Sequence, residues 1–271
     1  MGRVFTRISI PPRDIGMKLM KLHFTGATDK GLIRSSNQDS FFVDPEGRFF
    51  IVADGMGGHA GGQEASSLAT KVIQQHLLDH WDSEQTSPDL LRKAIVRANE
   101  AILQDQILHP ERSDMGTTVV VVLFRPLPQT QDSLPQPWCA HVGDSRLYQL
   151  RGAKLSQVTE DHTWVNRAMK LGNITPEQMR VHPWRHVLSQ CLGRPDLLQI
   201  DVQQLEMIPG DRLLLCSDGL TEELADDQIA SYLKQIRACG MATEALINAA
   251  KDRGGRDNIT VVVIMADMHE E

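Results

Sequence analysis

The sequence predicts an α+β fold in which antiparallel sheets are covered by helices. Apolar runs of strand length, rich in β-branched residues, recur over 19–27, 40–53, 116–124, 138–150, 199–207, 211–217 and 259–266. The helical segments fall in pairs between groups of strands, so the strict strand–helix alternation of a doubly wound parallel sheet is missing. With 271 residues, 41% hydrophobic and 23% charged, the chain has enough material for one large domain with a sizeable core, or two small ones.

Taken in order, Met1 to Met20 differ in character from the rest of the chain and read as a flexible tail before a domain over 21–267, with Met17 or Met20 as alternative starts. Gly2 with Thr6 fits a lipidation pattern so short that it recurs by chance. The run Phe49-Phe50-Ile51-Val52-Ala53 is a buried strand leading into Asp54-Gly55. A helix from about Gln63 to Trp81 carries Ala65, Leu68, Ala69, Val72 and Ile73 on one face. A second opens at Ser87-Pro88, read as an N-cap followed by a first-turn proline, and its stripe is Leu91, Ala94, Ile95, Ala98 and Ile102. Arg125 to Pro137, with four prolines, reads as an exposed hairpin loop. Thr163 to Arg185 contains Trp164, Trp184 and a capping box at Thr175-Pro176-Glu177-Gln178, and so reads as an ordered helical excursion from the sheet. Helices over about 222–237 and 241–252 precede the last strand.

The net charge of −7 argues against a general nucleic-acid binder. The four cysteines lack CxxC spacing and read as core residues. No run approaches the ~18 apolar residues of a transmembrane helix, and no secretory signal is evident. The expectation is a cytoplasmic monomer that binds neither membrane nor nucleic acid, so the sequons at Asn173 and Asn258 carry no meaning.

Chemistry concentrates at strand ends. Asp54-Gly55 follows one buried run, Asp218-Gly219 follows Leu213-Leu214-Leu215-Cys216-Ser217, and Asp257-Asn258 precedes Ile259-Thr260-Val261-Val262-Val263-Ile264. A glycine or asparagine there permits a sharp turn and leaves a carbonyl reachable. Aspartates held close would repel one another by about 4 kcal/mol per pair at 4 Å and an effective dielectric of 20. A divalent cation relieves that repulsion, and hard oxygen ligands suit Mg²⁺ or Mn²⁺, not zinc.

Six motifs occur in order along the chain: Arg34-Ser35-Ser36-Asn37-Gln38-Asp39, Val52-Ala53-Asp54-Gly55-Met56-Gly57-Gly58-His59, Met115-Gly116-Thr117-Thr118, Val142-Gly143-Asp144-Ser145-Arg146, Cys216-Ser217-Asp218-Gly219-Leu220-Thr221 and Gly255-Arg256-Asp257-Asn258-Ile259-Thr260. In this order they resemble the PPM (type 2C) metal-dependent protein serine/threonine phosphatases, especially the compact bacterial kind, across about 20–267. The resemblance implies a four-layer α-β-β-α sandwich, two antiparallel sheets flanked by helices, with two Mn²⁺ or Mg²⁺ ions at one edge. It implies that Asp54 bridges the ions, that the Gly55 carbonyl ligates one and that Asp218 and Asp257 complete the other. Asp39 would orient the attacking metal-activated water, Asp114 would share a third, looser ion with Asp218, and Arg34 would grip the substrate phosphate. Asn258 would fix the loop that aims Asp257, and the segment 163–188 would be a flap shaping access for phosphoproteins, the substrates of an opposing serine/threonine kinase.

Two positions depart from the animal pattern. Met56 stands where a histidine is proposed as general acid, with His59 three residues on as a substitute, and Gln38 replaces a glutamate. Asp144 reads as structural, in a tight hairpin, and Gly57, Gly58, Gly61 and Gly62 read as permitting close packing and not as a phosphate loop. The pairs His76/His80 and His182/His186 read as solvated faces, and His162 is a candidate substrate contact. The competing readings are a catalytically inactive PPM-like binding or sensing module and a two-metal nuclease or phosphodiesterase. Retention of every metal aspartate weighs against the first, and the acidic surface against the second.

Overall fold

A computed structural model describes residues 20–58, 61–126, 136–197 and 199–268. The tail, with Gly2, Thr6 and Met17, lies outside them, as do His59 and most of the proline-rich loop.

One sheet has the strand order β1 (Met20–Asp29), β11 (Ile259–Met268), β10 (Arg212–Cys216), β7 (Arg146–Arg151) and β8 (Lys154–Gln157). The other runs β2 (Asp39–Val43), β3 (Phe49–Met56), β5 (Val119–Leu123), β6 (Trp138–Val142) and β9 (Asp201–Gln204), with the short β4 (Gly116–Thr117) on the end of β3. Every strand pairing is antiparallel. The helices α1 (Gly61–Asp79) and α2 (Ser87–Leu108) cover the second sheet, while α6 (Asp226–Gln235) and α7 (Cys239–Asp252) cover the first. The expected four-layer sandwich is therefore the observed one.

The central strands read as continuous apolar runs because both of their faces are buried. Phe49 and Ile51 pack with Ala65, Ala69 and Ile73 of α1, whereas Phe50 and Val52 point between the sheets. Likewise Val261 and Val263 meet Leu246 of α7, while Val262 and Ile264 join the interior with Leu213 and Leu215. The period-2 alternation of a strand thus divides each run between two cores.

Some boundaries differ from expectation for identifiable reasons. The cap of α2 is Thr86, whose Oγ1 accepts the Asp89 N–H at 3.3 Å, and Pro88 sits inside the first turn. The run 138–150 is two strands in different sheets, so Gly143-Asp144-Ser145 is a crossover between layers and not a hairpin. Arg125 is buried at the start of the proline-rich segment and donates to the carbonyls of Trp81, Ser83 and Gln85, tying the α1–α2 connection to β5. His76 is buried and stacked on His80 at 4.3 Å, not part of a solvated face.

The excursion after β8 forms α3 (Trp164–Lys170) and α4 (Pro176–Val181), and the capping box at Thr175 is present. Its ends are joined by an antiparallel bridge between Thr163 and Leu188, with the Trp164 N–H donating to Val187 O at 2.7 Å.

Candidate metal centre

Sheet register begins the site. Asp39 and Asp54 are direct partners across β2 and β3. From the other sheet, β10 and β11 pair so that Cys216 lies opposite Val261, which delivers Asp218 and Asp257 to the same edge. Asp218 opens the short helix α5 (Asp218–Thr221). The layers are joined at this edge by Asp39, whose Oδ2 accepts from Ser217 Oγ at 2.8 Å and Thr260 Oγ1 at 2.6 Å. Asp54 in turn lies close enough to Asp39 and Asp218 for the negative charge of each to act on it. Around these groups is a cleft of about 480 Å³ whose lining includes Arg34, Gly55, Met56, Asp144 and Asp257.

The glycines serve a purpose different from the one their turn propensity suggests. Neither Gly55 nor Gly219 has positive φ. A Cβ on Gly55 would stand 2.0 Å from Gly62 O, and one on Gly219 would stand 2.0 Å from Asn258 O. Each is required by the close approach of another backbone, which brings α1 and the Asp257 loop against the carboxylates. A Cβ on Gly62 would likewise stand 2.8 Å from the Gly55 backbone, whereas one on Gly58 would meet only Asp114 Oδ2 at 4.0 Å, so close packing accounts for Gly62 and not for Gly58.

The charges are poised against one another. Burial, followed by the negative charges of Asp39, Asp218 and Asp144, pushes the Asp54 carboxyl well above the usual range. Burial and then Asp144, Glu222 and Asp257 do the same to Asp218. Burial raises Asp39 to about 6 despite its two hydroxyl donors, and raises Asp144 to about 7. Asp39 Oδ1 and Asp218 Oδ1 are buried without a hydrogen-bond partner among the described residues. Orphaned acceptors and crowded carboxyls are costly unless a cation completes them. The donor set is all oxygen, so the residues fit Mg²⁺ or Mn²⁺.

Arg34 is at the rim, half exposed, and donates to Asp257 Oδ2 at 2.6 Å. The other oxygen of Asp257 accepts the Asn258 N–H at 2.8 Å. The Asn258 side chain acts on a different loop from the one expected. Its Oδ1 accepts the Gln38 N–H at 2.7 Å and its Nδ2 donates to Lys30 O and Ser36 O, each at 2.9 Å, so it fixes the segment that carries Arg34.

Two expectations need correction. Asp114 is exposed on the turn before β4 and is absent from the cleft lining, whereas Asp144, read as structural, lines the cleft and is the foremost charge acting on Asp218. The crossover between sheets aims it there, a tertiary fact with no local signal. His162 is not a substrate contact. It is buried at 8% exposure, its Nδ1 accepts the Gly143 N–H at 3.2 Å, and its Nε2 faces Asp201 Oδ2 at 3.1 Å.

Sequence reasoning also missed Glu222 and His186. Glu222 follows Asp218 by one helical turn, a spacing that was available to find it. His186 returns from the flap, pairs with Glu222 at 2.6 Å and lines the cleft.

Comparison with known proteins identifies a family and relatives for this chain. The family described as Protein phosphatase 2C matches residues 33–251. The serine/threonine protein phosphatase PstP of Mycobacterium tuberculosis is 37% identical over 245 residues, covering 89% of this chain and 44% of that protein. The chain thus spans under half the length of that relative. The serine/threonine phosphatase stp of Listeria monocytogenes is 33% identical over 259 residues, covering 92% of this chain and 98% of its own. A crystal structure of the M. tuberculosis PstP/Ppp phosphatase superposes with a TM-score of 0.80 at 35% identity, covering 92% of this chain and 100% of that one. A structure of the PstP catalytic domain in complex with two manganese ions gives 0.76 at 33% identity, with 92% and 100% covered.

Proposed function

The chain belongs to the protein phosphatase 2C family, and from that premise we propose that it hydrolyses phosphoserine and phosphothreonine esters in proteins, opposing a serine/threonine kinase. The observation that carries the reading is the meeting of Asp39, Asp54 and Asp218 with two buried carboxylate oxygens unpartnered. Asp54, beside Asp39 and Asp218, would help hold both cations, the Gly55 carbonyl would serve one, and Asp218 and Asp257 the other. Asp144 would take the part expected of Asp114 toward a third. When bound, such ions supply the acidity that makes water a nucleophile at neutral pH and the positive charge that meets the developing phosphoryl charge.

The chain's own groups orient and hold. Ser217 and Thr260 fix Asp39 through one oxygen and leave the other, buried, without a hydrogen-bond partner among the described residues. Arg34, permanently charged and forked, has N–H groups beyond the one on Asp257 to offer phosphate oxygens. Met56 lines the cleft without a proton to give, so protonation of the leaving alkoxide falls to another donor. No described helix is long and apolar enough to cross a membrane.

The test is Mn²⁺-dependent release of phosphate from a phosphothreonine peptide, expected to stop with EDTA and in Asp54→Asn. Release that persists in either case overturns the proposal. An inactive binding module would release none under any condition.

A further inference from the structure

We propose that His162 is a positioning residue that holds Asp144 in register with the root of the flap. The inference rests on the phosphatase reading, in which Asp144 would help Asp218 hold a cation.

Asp144 lies in the three-residue crossover between β6 and β7, and a carboxylate on so short a link is aimed by whatever clamps the link. Gly143 has φ of 106°, and a Cβ there would stand 2.6 Å from the Thr118 side chain, so the backbone is pressed against the link between β4 and β5. On that side the clamp is a hydrogen bond of 2.7 Å between Ser145 Oγ and Thr118 Oγ1, which also accepts the Asp54 N–H at 3.0 Å. This half ties the turn to the centre of the cleft.

The other half of the clamp is His162. Its Nδ1 accepts the Gly143 N–H at 3.2 Å, and its own backbone N–H donates to Gly143 O at 2.9 Å. With Nδ1 an acceptor, the ring proton is on Nε2, which donates to Asp201 Oδ2 at 3.1 Å. The ring stacks on His141 at 4.6 Å, and the His162 carbonyl accepts the Ser189 N–H at 2.8 Å. The next residue, Thr163, bridges to Leu188 and closes the flap. One residue therefore touches the turn bearing Asp144, the start of β9 and both strands of the flap root. Both nitrogens of its ring are engaged, which leaves no role toward substrate and disposes of His141, His162 and Asp201 as a metal site of their own.

The two ends of the ring can be separated by substitution. His162→Asn places an acceptor near Nδ1 and abandons Asp201, while His162→Gln reaches toward Asp201 and abandons Gly143. Mn²⁺ binding is measured by calorimetry without substrate, with metal-free melting as the control for folding. Outer-shell partners of metal ligands typically contribute about 10–100-fold in affinity. The expected result is a loss in that range for the weakest ion in His162→Gln, affinity within about 3-fold of the parent in His162→Asn, and a His162→Gln/Asp144→Asn double variant no weaker than Asp144→Asn alone. Parent-like binding in His162→Gln, equal losses in the Asn and Gln variants, or full additivity in the double variant would overturn the proposal. If the parent protein takes up no Mn²⁺, the phosphatase reading falls first. If it does, and Asp54→Asn does not, only the role of His162 is at stake.

Discussion

The cleft has two walls, and they are held by different means. The wall over 30–38 is pinned from far away in the chain. Asn258 supplies three hydrogen bonds, the Leu32 N–H donates to Gly255 O at 2.7 Å, and Asn37 Nδ2 donates to Thr28 Oγ1 at 2.8 Å. The flap is held at its root and by partly exposed ion pairs, His186 to Glu222 and Lys170 to Glu160, while its helices are capped by their own threonines. Leu171, Val181 and Trp184 on the flap are 68%, 79% and 55% exposed. A wall fixed by buried tertiary bonds keeps Arg34 in one place. A wall fixed at its base can change position at little cost, because few buried contacts oppose it.

The floor between the walls sets the scale for both. Asp54→Asn should lower Mn²⁺-dependent phosphatase activity by at least about 10³-fold, or about 4 kcal/mol of transition-state stabilisation. The same change removes one charge from a crowded set, so the metal-free protein should gain about 1–2 kcal/mol and melt about 2–6 °C higher. A lower melting temperature would mean that the carboxyls are not in conflict.

Asn258→Ala strikes the pinned wall. Asn258 is 5% exposed, and its loss strands the Gln38 N–H and the Lys30 and Ser36 carbonyls. The expected cost is about 2–4 kcal/mol of stability, with kcat/KM down about 10²-fold as Arg34 loses its place. Asn258→Asp keeps an acceptor for Gln38 but no donor, and should fall between. A cost below about 0.5 kcal/mol would show that the wall stands without it.

Excising 164–187 tests the other wall. Thr163 and Leu188 already form a bridge, so a short glycine linker can join them. Stability should change by only about 1 kcal/mol, while activity on a phosphopeptide relative to p-nitrophenyl phosphate should shift about 10-fold, since only the larger substrate reaches the flap. An unchanged ratio would remove the flap from substrate selection.

The contrast between the walls also separates what was legible in the sequence from what was not. The capping box at Thr175 and the stripe on α2 depend on residues three or four apart, and both could be read directly. The convergence of Asp54, Asp218 and Asp257 could be inferred because each sits at the end of a rigid strand. Aim could not be inferred. Asp144 and Asp114 are both short acidic side chains in turns, and only the passage of the chain from one sheet to the other turns the first into the cleft and leaves the second outside. His162 was misjudged for the same reason: its partners Gly143 and Asp201 lie 19 and 39 residues away. The purpose of Gly55 and Gly219 was hidden too, since a backbone approaching from Gly62 or Asn258 leaves no mark beside them.

The smallest expected effect is the sharpest probe of the flap's looseness. His186 and Glu222 are 44% and 26% exposed, and an ion pair so placed contributes about 0.2–1 kcal/mol. His186→Ala should therefore leave the melting temperature nearly unchanged. Removing it nonetheless releases a side-chain tie between the returning strand of the flap and Glu222 at the end of α5, so opening should become more frequent by up to about 5-fold. Hydrogen exchange at the Trp164 and Ser189 amides, which donate to Val187 and His162 across the flap root, reads that opening directly. The amide of Gln38 on the pinned wall, donating to Asn258, should exchange at the parent rate. Equal acceleration on both walls would mean that the cleft opens as one unit, and the difference drawn between them would disappear.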